Sequence, residues 1–311
     1  MSEELYDVVI IGGGPAGLTA AIYNGRALLK TLVIEKMMIG GQATITHQID
    51  NYPGFPDGIS GPELMELFEK QAKRFGAEFK STTVKQISTE GKIKILDTDS
   101  GDIRTKTVII ATGAQPRRLG IPGEDKLTGK GVSYCATCDG AFFRDAEVAV
   151  IGGGDSAVKE AIFLTKFASK VYIIHRRDEL RAEKITAKQA FENEKIEFIW
   201  DTVTEEITGD FAVKSLKLKN VKDGSTSELP VEGAFIYVGM IPNTDFLKGF
   251  VELDDKSYIV AGHNTHTKVQ GVFAAGDVRQ KIARQVATAV GDGASAAMAA
   301  EECLAGQCFE D

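Results

Sequence analysis

Cysteine is scarce in this chain: 311 residues hold four, too few for the disulfide framework of a small secreted domain, and a reducing, cytoplasmic location is expected. Long apolar runs are missing as well. Segments such as VIIATGA fall far short of the roughly 20 residues that a membrane-spanning helix needs. No positively charged leader opens the chain. The acidic MSEELYDVVI passes directly into a candidate strand, so no signal peptide is expected. Positive charge is not in excess either. A net charge of −8 and a pI near 5.2 argue against broad binding to nucleic acid or to an anionic membrane. Low-complexity tracts and disordered linkers are also absent, because the 33 glycines gather at turns.

What is present is one glycine signature written twice. DVVIIGGGPAG carries an apolar run, Val8 to Ile11, into a turn at Gly12 and Gly14 and then, through Pro15, Ala16 and Gly17, into a candidate helix. Gly12 permits the tight turn, Gly14 lets backbone approach a pyrophosphate, and Gly17 lets helix pack on strand. The helix N-terminus adds free N–H groups and partial positive charge. VAVIGGGDSA repeats the order with Gly152, Gly154, Asp155, Ser156 and Ala157. One such triplet also suits any tight strand-to-helix turn. Two copies, each in strand-to-helix context, point to two nucleotide sites, each heading its own α/β domain.

The copies differ at the residue that reads the ribose. In the first, the next apolar strand, TLVIE, ends at Glu35 with Lys36 beside it; a carboxylate there accepts from the 2′- and 3′-hydroxyls of an unphosphorylated adenosine, which suits FAD or NAD. In the second, VYIIH ends at His175, followed by Arg176, Arg177 and Arg181. Guanidinium forks bind a 2′-phosphate that a carboxylate would repel, so this site is expected to prefer NADP(H). The plainer alternative is a solvated helix start, since Asp178, Glu179 and Glu183 are interspersed.

Between the two signatures lies SYCATCDG, with Cys135 and Cys138 two residues apart and Asp139 next. A redox-active disulfide, half of a zinc site and a pair of inert buried thiols all have this spacing. Zinc needs a second ligand pair. The remaining cysteines, Cys303 and Cys308, are remote, and no His pair is close in sequence. A redox pair is therefore favoured, with Asp139 positioned to relay a proton. Cys303 and Cys308 read as ordinary tail thiols. Two nucleotide sites flanking a dithiol suggest an electron relay.

The chain resembles the low-molecular-weight, bacterial-type NADPH-dependent thioredoxin reductases, class II pyridine nucleotide-disulfide oxidoreductases. The resemblance runs over nearly the whole length, through GGGPAG, GGQ at 40 to 42, DNYPGFP from Asp50, ATGA at 111 to 114, CATCDG, GGGDSA, HRRDELRA at 175 to 182 and GVFAAGDV at 271 to 278. It implies an α/β fold of two Rossmann-like, three-layer ββα nucleotide-binding domains, the second inserted in the first. An FAD-binding domain of 1–115 plus 246–311 would be interrupted by an NADPH-binding domain of 116–245 carrying the disulfide. It further implies flavin contacts from Gly41, Gln42, Asn51, Ala111, Thr112, Gly113, Gly276, Asp277, Val278, Arg284, Gln285 and Val286. Asp277 alternatively caps the helix that follows. Ala283 stands where the family often has an aromatic residue.

By the same resemblance, electrons pass from NADPH to FAD and on to Cys135–Cys138. Cys138 would face the flavin, Cys135 would attack an oxidised thioredoxin or thioredoxin-like partner, and Asp139 would assist proton transfer. A homodimer, and domain rotation about hinges near 114–118 and 242–247, belong to the same expectation. Phe142 and Phe143 either contact a partner or pack inside. Rival functions are a family relative driven by ferredoxin, one acting on a small dithiol, and a redox sensor without turnover.

Overall fold

The computed structural model describes residues 4–46, 49, 51–262 and 264–308. Asp50, the first residue of DNYPGFP, lies outside them. The chain divides into two compact units, Met1–Gln115 with Ile241–Asp311, and Pro116–Met240.

The first unit begins with β1 (Leu5–Ile11), α1 (Pro15–Arg26), β2 (Thr31–Glu35), α2 (Gly61–Arg74) and β3 (Glu78–Ser81). It continues through the hairpin β4 (Val84–Glu90) and β5 (Ile93–Thr98) into β6 (Ile103–Ile110). Its sheet runs β3-β2-β1-β6-β5-β4. β3, β2, β1 and β6 are parallel, and the hairpin is antiparallel. β1 shows why an unbroken apolar run belongs in such a sheet. Val8 and Ile10 enter the core under α1, and Val9 and Ile11 enter the core on the opposite face, so both faces must be apolar.

The chain leaves this unit along β7 (Ala114–Pro116). The second unit then holds α3 (Glu124–Leu127), β8 (Val132–Ser133), α4 (Ala136–Asp139), β9 (Glu147–Ile151), α5 (Asp155–Leu164), β10 (Lys170–Ile174), α6 (Lys184–Phe191) and β11 (Ile196–Ile199). A meander follows, β12 (Thr202–Thr208), β13 (Ser215–Asn220) and β14 (Thr226–Pro230), and then β15 (Gly233–Ile236). The parallel sheet is ordered β11-β10-β9-β15-β8, and the meander forms a separate three-stranded sheet. Val148 and Val150 of β9 pack toward the α5 face, and Ala149 and Ile151 pack toward the meander. The unit is thus three layers: meander, parallel sheet and helices.

The chain returns along β16 (Met240–Pro242), which pairs with β7. The return falls between Met240 and Ile241, and Asn243 just beyond it is bound to the first unit. Its N–H donates to Gly113 O at 3.0 Å, its Nδ2 donates to Thr112 O at 2.8 Å, and Thr112 Oγ1 donates to its carbonyl at 2.8 Å.

The tail adds β17 (Val272–Ala274) and α7 (Val286–Glu302). β17 pairs in parallel with the second half of β6, at Val108 to Ile110, while the hairpin takes the first half. α7 is rich in small residues and lies against α1. Ala289, Ala296, Ala297 and Ala300 join Ala16, Ala20 and Ala21 in one core, and a Cβ at Gly293 would overlap the Ala16 carbonyl. No helix among the described residues is long and apolar enough to cross a membrane.

Candidate active site and nucleotide sites

In the first unit three parallel strands end side by side. Gly12 N–H donates to Ile34 O at 2.8 Å, Ala111 N–H to Ile11 O at 2.8 Å, and Ala275 N–H to Ile110 O at 2.9 Å. The Gly12 turn, the Ala111–Thr112–Gly113 segment and Gly276–Asp277–Val278 are thereby gathered at the carboxyl ends of β1, β6 and β17, where doubly wound folds bind ligands. Gly12 has φ 107°, and a Cβ there would run into the Ala111 carbonyl; only glycine meets both demands. Gly14, whose nearest neighbour to a hypothetical Cβ is Gly40 O at 3.9 Å, stays open. Pro15 opens α1, and Ala16 and Gly17 are buried beneath the turn.

Glu35 closes β2 beside this turn. Its Oε2 accepts the Gly13 N–H at 2.9 Å and its Oε1 the Met37 N–H at 3.1 Å, which aims the carboxylate while leaving each oxygen a further lone pair. Lys36 is exposed. The Gly40–Gly41–Gln42 loop meets the same turn, with Gly40 N–H donating to Gly13 O at 2.7 Å; Gln42 is exposed. Asn51 Nδ2 donates to Gln285 Oε1 at 3.0 Å. Gln285 is also the N-cap of α7, forming a capping box with Thr288 just before Val286.

Asp277 does not cap a helix. It lies within a short 3-10 turn, Gly276–Val278, with Oδ1 buried and without a hydrogen-bond partner. Burial pushes its carboxyl above the usual range, with Lys281 and Arg284 opposing. Arg284 stacks its guanidinium over Tyr258, 4.2 Å from the ring centroid, and its Nε is likewise buried without a partner. Asp292, which the sequence reading missed, braces this corner. Its Oδ2 accepts from Gly276 N–H at 3.0 Å and Lys281 Nζ at 2.9 Å, and its Oδ1 accepts from Arg279 at 3.4 Å.

In the second unit Cys135 and Cys138 form a disulfide, S–S 2.05 Å and Cα–Cα 5.3 Å, with Cys135 at the N-cap of α4 and Cys138 within it. Cys138 and Asp139 N–H groups both donate to Cys135 O, at 3.2 and 3.1 Å. Cys135 N–H donates to Ser133 Oγ at 3.1 Å, and the Ser133 hydroxyl donates to Asp139 Oδ2 at 2.6 Å. Ser133 stands two residues before Cys135, and only that proximity could have flagged it. Among the described residues no cluster of three potential metal ligands exists.

The second glycine turn repeats the first. Gly152 N–H donates to Ile174 O at 3.0 Å, Gly152 has φ 142°, and Gly154 has nothing within 4 Å of a hypothetical Cβ. Ser156 and Ala157 belong to the first turn of α5. Asp155 accepts the Glu183 N–H at 2.8 Å, and Arg181 N–H donates to Gly153 O at 2.7 Å; both bonds hold the arginine loop against the turn. Arg176, Arg177 and Arg181 are exposed, and none forms an ion pair among the described residues. Asp178, the acid between them, binds Lys222 at 3.1 Å instead. His175 differs from its neighbours. It is 4% exposed, sets its ring edge-on to Trp200, and is pushed toward neutrality by burial first and then by the three arginines.

The two phenylalanines after the redox turn differ in their surroundings. Phe143 packs edge-on against Phe235, centroids 5.1 Å apart, while Phe142 is 56% exposed. Cys303 and Cys308, expected as ordinary thiols, lie side by side at the end of α7. Gly306, at φ 93°, turns the chain back after α7 so that Cys308 meets Cys303.

Two dinucleotide-type turns, each in its own α/β unit, with a disulfide in the second, define a two-nucleotide disulfide oxidoreductase. The family model for pyridine nucleotide-disulphide oxidoreductases matches residues 6–293, and the chain belongs to that family. It is 51% identical over 306 residues to a thioredoxin reductase of Peptoclostridium acidaminophilum, covering 96% of this chain and 97% of that one. It is 50% identical to a thioredoxin reductase of Streptomyces coelicolor, covering 99% and 97%. The crystal structure of thioredoxin reductase from Streptococcus pyogenes superposes with a TM-score of 0.92 at 48% identity, covering 98% of this chain and 100% of that one.

The thioredoxin reductase class of this family uses FAD and NADPH. The residues present fit both. The orphaned buried oxygen of Asp277 and the open Gly14 and Gly113 suit a flavin dinucleotide in the first unit. The open Gly154 and three guanidinium groups that form no ion pair among the described residues suit a 2′-phosphorylated dinucleotide in the second.

Proposed function

We propose that this enzyme uses NADPH to reduce the disulfide of thioredoxin or a thioredoxin-like protein, working in the cytoplasm as a homodimer. The observation that carries this reading is the Cys135–Cys138 disulfide, in the unit of the second glycine turn, within a chain matched along almost its whole length by thioredoxin reductases.

FAD would be held by Gly12 to Gly17, Glu35, Gly41, Ala111 to Gly113, Asp277 and Arg284. NADPH would be held by Gly152 to Ala157, with Arg176, Arg177 and Arg181 on its 2′-phosphate. When bound, these groups supply two electrons, as a hydride from NADPH, for opening the disulfide.

The chain's own residues do the rest. The Cys135–Cys138 bond takes up two electrons and two protons to become a dithiol. Asp139, fed by the Ser133 hydroxyl, relays a proton to and from the sulfur. Cys135, as thiolate, attacks one sulfur of the partner's disulfide and displaces the other. Cys138 then attacks Cys135 of the mixed disulfide, re-forming Cys135–Cys138 and releasing the partner as a dithiol. The exposed Phe142 and Arg144 beside the redox turn offer an apolar and a charged contact for that partner.

Anaerobic titration of the holoenzyme with NADPH, in parallel with NADH, tests the reading through the flavin absorbance. NADPH is expected to bleach the flavin at far lower concentration than NADH. Oxidised thioredoxin should restore the yellow colour only when both Cys135 and Cys138 are intact. No bleaching by NADPH would leave ferredoxin or a small dithiol as donor; bleaching that thioredoxin does not reverse would remove the partner alone.

A further inference from the structure

Tyr237, the residue after β15, touches both the nucleotide turn and the redox turn. Its N–H donates to Ile151 O at 2.8 Å, and its carbonyl lies so close to Gly152 that any Cβ there would overlap it. Its ring packs into the core under α5. Its hydroxyl accepts the N–H of Ala136, the residue directly after Cys135, at 2.6 Å. No other hydrogen bond reaches the phenol among the described residues. The titratable groups facing it are Glu160 on α5 and Asp139 on α4. Glu160 has a buried Oε2 without a partner and a carboxyl pushed up by burial. Burial first, then the Glu160 charge, keeps the phenol protonated throughout the neutral range.

This contact bears on the sulfurs because the N–H groups of both cysteines are already committed, and the Thr137 hydroxyl, 3.4 Å from Cys135 Sγ, is the side-chain group that reaches a sulfur among the described residues. Cys135 N–H is held by Ser133, and the Cys138 and Asp139 N–H groups by Cys135 O. Opening the disulfide creates a thiolate, a far stronger acceptor than a disulfide sulfur. A donor engaged elsewhere does not stabilise it.

We propose that Tyr237 is a positioning residue of the redox centre: by holding the Ala136 N–H it fixes the peptide beside Cys135 and withholds a donor from the thiolate, keeping the dithiol more strongly reducing. The inference rests on Cys135–Cys138 being the working disulfide. Tyr237→Phe retains the ring and frees the N–H, which is then unpaired beside the disulfide and paired beside the thiolate.

The test equilibrates the holoenzyme with oxidised and reduced dithiothreitol at pH 7 and counts thiols by mass spectrometry of the alkylated peptide bearing both cysteines. Cys303 and Cys308 then do not contribute. Tyr237→Phe should shift the equilibrium roughly tenfold toward the dithiol, about 30 mV for a two-electron couple, and move the pH profile of alkylation to lower pH. Ala136→Pro deletes the N–H at the first helical position, where proline is tolerated. It should stay within about twofold of wild type, and in its background Tyr237→Phe should add nothing. An unshifted Tyr237→Phe, a shift toward the disulfide, a tenfold shift in Ala136→Pro alone, or a Tyr237→Phe shift that persists in the Ala136→Pro background would each overturn the proposal. Wild-type enzyme that fails to reduce thioredoxin would undo the function above and leave these equilibria to be judged separately.

Discussion

The Ser133 hydroxyl donates to Asp139 Oδ2 at 2.6 Å while its oxygen accepts the Cys135 N–H at 3.1 Å. One small side chain therefore orients the carboxylate and the first cysteine of the redox pair together. Removing a proton relay costs about 10²-fold or more, so Asp139→Asn is expected to lower thioredoxin-dependent kcat by that order while NADPH still bleaches the flavin. Ser133→Ala deletes both of the Ser133 hydrogen bonds, each worth about 1 kcal/mol; kcat should fall roughly fivefold to thirtyfold. Stopped-flow absorbance separates flavin bleaching from the later steps, and equal slowing of both in Asp139→Asn would remove it from proton transfer.

The arginine loop makes a prediction about the choice of nucleotide. Arg176, Arg177 and Arg181 are exposed and unpaired among the described residues, because Asp178 is taken by Lys222. A charge-assisted hydrogen bond is worth about 1.5–3 kcal/mol. Each Arg→Ala change should therefore raise KM for NADPH by roughly tenfold or more, leave KM for NADH nearly unchanged, and weaken the salt dependence of NADPH binding. Equal effects on both nucleotides would mean that the loop does not read the 2′-phosphate.

The second glycine turn separates folding from binding. At Gly152 a Cβ would overlap the Tyr237 carbonyl, and the backbone has φ 142°, whereas at Gly154 it would meet nothing within 4 Å. Gly152→Ala should accumulate poorly or melt several degrees below wild type. Gly154→Ala should melt like wild type and lose NADPH affinity, since the added methyl occupies the path of a pyrophosphate. Thermal melts together with NADPH titration check the pair, and full affinity in Gly154→Ala would remove this turn as the phosphate site.

Local grammar explains what could be read in the chain beforehand. The apolar runs ending at Ile11 and Ile151, the glycine turns after them and the two-residue cysteine spacing each make their structural sense within about a dozen residues. The supporting contacts join distant positions. Asp292 reaches Gly276 from the next helix, and Tyr237 reaches Ala136 across the sheet; neither has a local signature. Phe142 and Phe143 are alike in sequence, and only the packing of Phe143 on Phe235 tells them apart. The approach of Cys308 to Cys303 depends on a single left-handed glycine, Gly306, that composition could not assign.

Asp277 carries a prediction in pH. Its carboxyl is raised above the ordinary 3.8, chiefly by burial, so between that value and the raised one the folded chain keeps a proton that the unfolded chain has lost. The stabilising contribution is therefore complete below about 3.8 and is lost as pH rises through the folded value. Above the raised value the carboxylate is charged and buried with an orphaned oxygen, only partly offset by Lys281 and Arg284. Asp277→Asn removes that charge. The flavin-free variant should melt above flavin-free wild type at pH 7, with the gap closing toward pH 4, and it should also retain less FAD after gel filtration because its oxygen acceptors are fewer. A variant that melts at the wild-type temperature across this range would show that the carboxyl titrates normally, and one with unchanged FAD retention would remove Asp277 from the flavin site.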